Sequence, residues 1–371
     1  HRDLHSFPTR RSSDLIQADV RLLDADVLVP RIVVALARAL RPGAPAPLAA
    51  LAASPGVAEA VGRLAAWDRT TPTGLPEGYD ASDVDGRLAP PGHREIDASV
   101  GATLYAAWRG QVIRNVIDAH VAPLPVPPGQ QAMTALRTLL DRFPERQGVG
   151  ASGVDFFAVP GFTASPEDRR DLLLLQSVAG ALALLSGPGL DAAFHGSTRQ
   201  EDYRWGKLHR IVLAHPMGGP FSVPPALGQF PAPLAGLRGI PTDGGFGAVD
   251  ASNHDARAAT LDGFMFGSGP SNRLVVELTR GPAKRAESAW PGGASGVRDA
   301  AGRHRRADPH RGRLPHPGVS RVSAAGDSSP GRGVRERRLR LRPGQGAADR
   351  GGARGQPLSL AGQRRAGGDG R

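Results

Sequence analysis

Tyr203-Arg-Trp-Gly-Lys-Leu-His-Arg-Ile-Val-Leu-Ala-His-Pro-Met-Gly-Gly219 marks a change of period in this 371-residue chain. An aromatic–glycine turn leads into alternation: Leu208, Arg210, Val212 and Ala214 point one way, His209, Ile211, Leu213 and His215 the other. A period of two is that of a strand. Pro216 to Pro241 reads as loop, since each proline fixes φ and removes a backbone donor. Phe246–Ala251 and Gly263–Phe266 are short strand candidates, and Arg273–Thr279 is the strongest β-run.

Upstream the period is helical. Leu22, Leu23, Val27, Val34 and Leu40, with Ile32, Val33 and Leu36 between them, make a broad apolar face. Pro30 predicts a kink there, or the first turn of a second helix. Ala49–Leu64 is again apolar, broken at Ser54-Pro55-Gly56 and ending at Trp67-Asp68; residues 69–97 read as surface loop. From Asp97 to about Asp118, Val100, Leu104, Trp108, Val112 and Val116 would line one side of a helix. Gln130–Phe143 is shorter and amphipathic. Ser165-Pro166-Glu167-Asp168 is the clearest helix start: serine accepts a free amide hydrogen, proline suits the first turn, and two acids face the positive helix end. Arg169–Ser186 behind it is apolar on nearly all sides, which predicts a central buried helix. Helices first and strands last predict an α+β architecture, with residues 16–200 mainly helical and 201–296 the β-rich part of the same domain.

Both ends differ from this body. Residues 1–15, HRDLHSFPTRRSSDL, read as translated sequencing adapter and are set aside as a tag would be. Residues 297–371 hold 18 Arg, no Lys, five Asp and one Glu, a net +12 where the whole chain carries +11. The body is therefore almost neutral, and its composition implies neither a nucleic-acid nor a membrane partner. The tail reads as a frameshift or as a disordered Arg/Gly/Pro extension. With no cysteine, a disulfide framework, a thiolate metal site and a cysteine nucleophile are all excluded.

Five groups of residues carry candidate chemistry. Gly244-Gly245-Phe246-Gly247 has the look of a phosphate-cradling loop, but a strand-like Val249-Asp250-Ala251 follows where a helix is needed; a tight turn is the simpler reading. His195, Ser197 and Asp202 supply the residue types of a hydrolase triad without the glycine-flanked elbow that exposes a nucleophile. His209 and His215, six apart on one strand, would face the same side and offer two metal ligands, or serve as hydrogen-bonded structural histidines. Asn253, His254 and Asp255 line a pocket or bond their own backbone in a turn. Trp205-Gly206 anchors the strand entry by packing.

Trp205-Gly-x-x-His209, His215-Pro216, the Asp243-Gly-Gly loop, Gly269-Pro270-Ser271 and Pro291-Gly-Gly-x-Ser-Gly296 together resemble the penicillin acylase (penicillin amidase) family, and Ile16-Gln-Ala-Asp-Val20 resembles the start of one of its helices. The resemblance spans roughly Ile16 to Gly296, the C-terminal part of the family's large chain. It implies a fragment of a four-layer αββα N-terminal-nucleophile fold. It also implies an enzyme that hydrolyses N-acyl amides through its own N-terminal serine, whose α-amino group serves as base through a water. The family's nucleophile, its oxyanion asparagine, the supporting arginine and the calcium ligands all precede these motifs. No catalytic, cofactor-binding or metal residue is therefore assigned here; calcium belongs to the full-length enzyme. The partners implied are a small N-acyl amide substrate and the upstream remainder of the same precursor, in a periplasmic or secreted setting. The alternative is a non-enzymatic α+β module whose basic tail binds nucleic acid.

Overall fold

The computed structural model describes residues 19–77, 90–222 and 236–269, together with the backbone of three strands at 273–276, 286–289 and 319–322. Residues 1–15, nearly all of the Arg-rich tail and the far end of the Arg273–Thr279 run lie outside the described residues.

The helices are α1 (Leu23–Ala39), α2 (Ala46–Ala52), α3 (Pro55–Ala66), α4 (His93–Val112), α5 (Gly129–Asp141) and α6 (Pro166–Leu185), with shorter turns between them. Helix α6 begins as its sequence demands. The Ser165 hydroxyl accepts the Asp168 backbone N–H at 3.1 Å, and Pro166 occupies the first turn. It packs along α4 and against α1, α2 and α3, and so lies at the centre of the helical layer. The α1 helix passes straight through Pro30, which is exposed, so neither a break nor a second start occurs there.

The burial of α4 and α6 departs from the sequence expectation. From Ala98 to Gly110 every residue of α4 is buried, not one stripe, whereas Gln176 and Ala183 of α6 face solvent. The cause is residue size. Ala and Gly on the remaining faces of α4 let neighbours approach closely, and a Cβ at Gly101 would sit 2.5 Å from Trp67 Cγ. Trp67, Tyr105 and Trp108 then form a continuous aromatic row with ring centroids 5.5 and 5.7 Å apart, and the Trp108 indole N–H donates to Leu174 O of α6.

Past Val112, α4 widens into a π-helical segment, Ile113–Asp118. Such wide turns re-aim the side chains that follow them. Asn115 reaches Ser177 of α6 at 3.0 Å, while Asp118 forms a two-pronged pair with Arg257, both contacts 2.8 Å.

The strands are short. β1 (Arg210–Ile211) pairs antiparallel with β2 (Ile240–Pro241), Arg210 opposite Pro241 and Ile211 opposite Ile240. β3 (Arg273–Val276), β4 (Ala286–Ala289) and β5 (Val319–Val322) form a second antiparallel sheet in that order, β5 falling within the Arg-rich stretch. Three strand expectations fail. The 208–215 strand contracts to two paired residues, and Gly263–Phe266 instead ends a helical turn, Leu261–Phe264, whose Thr260 hydroxyl accepts the Gly263 N–H. Phe246–Ala251 is turn, except that Ala248 bridges to Leu22. The chain is thus helix-rich with short strands late in sequence, compatible with α+β.

Candidate functional site: a buried histidine–arginine cluster

The 242–268 segment folds over α4 by spending its backbone amides on side chains. Gly244 N–H donates to Thr71 Oγ1 at 2.9 Å, Gly245 N–H to Ser252 Oγ at 2.9 Å, and Phe246 N–H to His254 Nδ1 at 3.0 Å. Ser252 in turn donates its hydroxyl proton to Asp250 Oδ1 at 2.7 Å, which fixes it as an acceptor for Gly245. A phosphate loop needs these amides free to meet the ligand. Here three of them are consumed, so the Gly244–Gly247 loop is a structural turn. Gly244 has φ +87°, and a Cβ on it would lie 1.6 Å from Ser252 Oγ, so glycine is required twice over.

Trp205 is the hub beneath this turn. Fully buried, it takes its backbone bond to Ser99 Oγ (2.7 Å) and donates its indole N–H to Gly244 O (2.8 Å). Its ring stacks on His209, centroids 5.1 Å apart and planes 15° from parallel, and meets His254 edge-on at 5.3 Å. His209 sits entirely inside, its Nδ1–H directed at Phe264 O at 2.9 Å. The packing anchor expected of Trp205-Gly206 is therefore the observed role of this residue.

On the α4 side stands Arg109, buried without residual exposure. One guanidinium nitrogen lies 2.8 Å from His254 Nε2, and the other donates to Phe246 O at 3.0 Å and approaches Asp24 Oδ2 at 3.4 Å. The Phe246 ring covers the guanidinium at 4.8 Å. Asp24 supplies the countercharge from α1. Burial pulls the His209 pKa down to about 4, partly offset by acceptors on Phe264 and Ser252. Burial, then the Arg109 charge, then His209 hold His254 well below the usual histidine range. Tyr105, beside them on α4, is raised well above 10 by burial and then by Asp24. Near neutral pH both imidazoles of the cluster are therefore neutral.

The other candidates do not assemble. Ser197 donates to Asp202 directly at 2.6 Å, so a carboxylate stands where the triad needs an imidazole. His195 is an exposed cap residue at φ +52°. His209 and His215 part company because β1 ends at Ile211: His209 turns inward, while exposed His215 accepts the Met217 N–H on Nδ1 at 3.1 Å. Among the described residues no group of three or more His, Asp or Glu could hold a metal ion. Asn253, His254 and Asp255 divide their roles, His254 joining the cluster and Asp255 accepting the Arg257 N–H within its own turn at 2.9 Å.

Arg210 adds a second buried cation. It donates to the carbonyls of Gly206 (3.0 Å), Arg238 (2.8 Å) and Gly239 (2.6 Å), tying the Trp205 turn to the approach to β2. Burial lowers its pKa to about 10, against the opposing charge of Glu77. Apart from the cluster, a groove of about 740 Å³ runs between α3 and the start of α4, lined by Glu59, Arg63, Trp67, Asp68, Arg94 and Asp97. Its charges pair within it, Arg63 with Glu59 at 2.9 Å and Arg94 with Asp68 at 3.2 Å.

Sequence reasoning missed Arg109 and Asp24. A lone charge in the most apolar part of a helix was the available signal for Arg109, since a fully buried arginine demands a partner. Asp24, in the first turn of α1, looked like an ordinary acid at a helix start.

Residues 5–305 match the penicillin amidase family model. The match covers most of the chain, which therefore belongs to the penicillin amidase family, a family of amidohydrolases. No curated protein sequence matches it. Among the described residues no single helix is long and apolar enough to cross a membrane.

Proposed function

We propose that this chain supplies the C-terminal part of the large chain of a self-processing amidohydrolase. The parent enzyme hydrolyses the side-chain amide of N-acylated substrates, either β-lactams such as penicillins or N-acyl homoserine lactones. An N-terminal serine forms the acyl-enzyme within an αββα fold, in a periplasmic or secreted setting. Its partners are the acyl amide substrate and the upstream remainder of the precursor, which carries the serine and its oxyanion donors.

Family membership supports the reaction class. The placement of the chemistry upstream rests on one observation. Three residues of the family motifs, His209, Gly244 and Gly245, are turned into a closed cluster under Trp205, where their polar groups are bonded within the fold. The test is turnover of a chromogenic phenylacetyl amide. The purified chain alone is expected to give none, and co-expression with the upstream part of its precursor to give activity. Turnover by the chain alone overturns the placement.

A further inference from the structure

We propose that Arg109, His254 and His209 form an acid-operated latch, which fastens the 242–268 segment onto helix α4 at neutral pH and releases it when His254 takes up a proton. The geometry of His254 carries this. Both of its nitrogens face donors: Nδ1 the Phe246 N–H at 3.0 Å, Nε2 the Arg109 guanidinium at 2.8 Å. A neutral imidazole has one lone pair and can accept from one of the two at a time; the imidazolium has none and can accept from neither. Protonation therefore removes the bond holding the glycine turn and sets a second cation against a guanidinium in a dry interior.

The groups around the ring leave little compensation. From α4 come Arg109 and Tyr105, whose hydroxyl is 0 % exposed with its residue; from α1 comes Asp24, already 3.4 Å from Arg109. Within the segment itself, Asp250 is bonded to Ser252 and Asp255 to its own turn. His209, 5.4 Å away centre to centre, is the other titrating ring. It differs in kind, because its Nδ1–H already points at a carbonyl and protonation leaves that bond intact. His254 is thus the trigger and His209 its amplifier.

The sign follows from proton linkage. The rings bind protons more weakly closed than open, so closure is fully favoured above the ordinary histidine range. It is lost as pH falls from about 6.5 toward the His209 value of about 4. Each proton taken up on opening raises the opening constant about tenfold per pH unit. Release frees the Gly244–Phe246 amides, and the α4–α6 core, whose contacts involve none of these rings, stays closed.

Hydrogen exchange followed by mass spectrometry on the full chain between pH 7 and pH 4, corrected for intrinsic rate, reads this directly. Peptides covering 242–268 are expected to lose protection over that range while α6 peptides keep theirs. His254→Gln, which keeps an acceptor and cannot titrate, should move the midpoint down by at least one pH unit. Histidine ring NMR titration of the unaltered chain gives an independent reading: the His254 signal is expected to titrate together with the opening. The latch is overturned by an unchanged midpoint in His254→Gln, by simultaneous loss of protection in 242–268 and α6, or by a His254 ring that titrates while the segment stays protected.

Discussion

Replacing Trp205 by phenylalanine isolates what the indole contributes, because phenylalanine fits the same slot and keeps one aromatic face toward His209. Two things are lost. Gly244 O loses its donor, the indole N–H 2.8 Å away, in an interior where Trp205 and its neighbours are fully buried. An unsatisfied buried carbonyl costs about 1–3 kcal/mol. The vanished outer ring forfeits about 1 kcal/mol of burial and packing. The sum, about 2–4 kcal/mol, is a large fraction of the about 5–15 kcal/mol that holds a typical domain together. Trp205→Ala adds a cavity and would cost about 3–5 kcal/mol for the side chain alone, too much for a clean measurement. Urea unfolding of the full chain followed by far-ultraviolet circular dichroism is the assay. At an m value of about 2 kcal/mol per molar, the phenylalanine variant should unfold about 1–2 M earlier with m unchanged. A midpoint displaced by less than about 0.3 M would refute the reading of Trp205 as the support of the glycine turn.

Further substitutions test the glycine turn and the buried ion pairs. Gly244→Ala puts a Cβ 1.6 Å from Ser252 Oγ at φ +87°, and so must move the turn; we expect at least about 2 kcal/mol of destabilisation in thermal melts, partly recovered by adding Ser252→Gly, whereas additive losses would mean that the clash is not the cause. Asp171, 1 % exposed, bonds Arg38 at 2.6 Å and Arg170 at 2.6 Å. Asp171→Ala removes the near carboxylate from Arg170 and leaves Arg38 only Asp168 at 3.6 Å, and should cost about 1–3 kcal/mol. Asp26→Ala, which breaks a surface pair with Arg21, should stay within about 1 kcal/mol; equal losses for the two in urea titrations would contradict the burial argument.

The helical half of the chain was legible because its signals are local. Ser165-Pro166 announces α6 by cap chemistry within four residues, and Trp67 ends α3 where the apolar run stops. The β half was not legible to the same degree. Alternation at 208–215 put Leu208 and Arg210 on one face and His209 on the other, yet all three are buried; strand pairing needs a partner backbone, which among the described residues Ile240–Pro241 supplies to two positions. Likewise, Thr260-Leu-Asp-Gly263 is a helix-capping pattern that was hidden by the apolar run behind it. The cluster lay further out of reach. Its members come from residues 24, 71, 99, 109, 205, 209, 244 and 254, and no periodicity joins positions that meet only in the folded state.

The π-helical turn at Ile113–Asp118 works as a phase correction between two parts of the chain. Helix α4 is keyed to the core through Trp67 and Trp108, while Asp118 must meet Arg257 on the far segment. A regular helix spends about 100° per residue and cannot serve both faces unless the spacing happens to suit. The wide turn absorbs the remainder. Deleting one residue there would restore regular winding with both packing surfaces nearly in step, whereas winding all six residues as a regular helix would turn Asp118 about 100° away from its arginine although no contact residue had been changed.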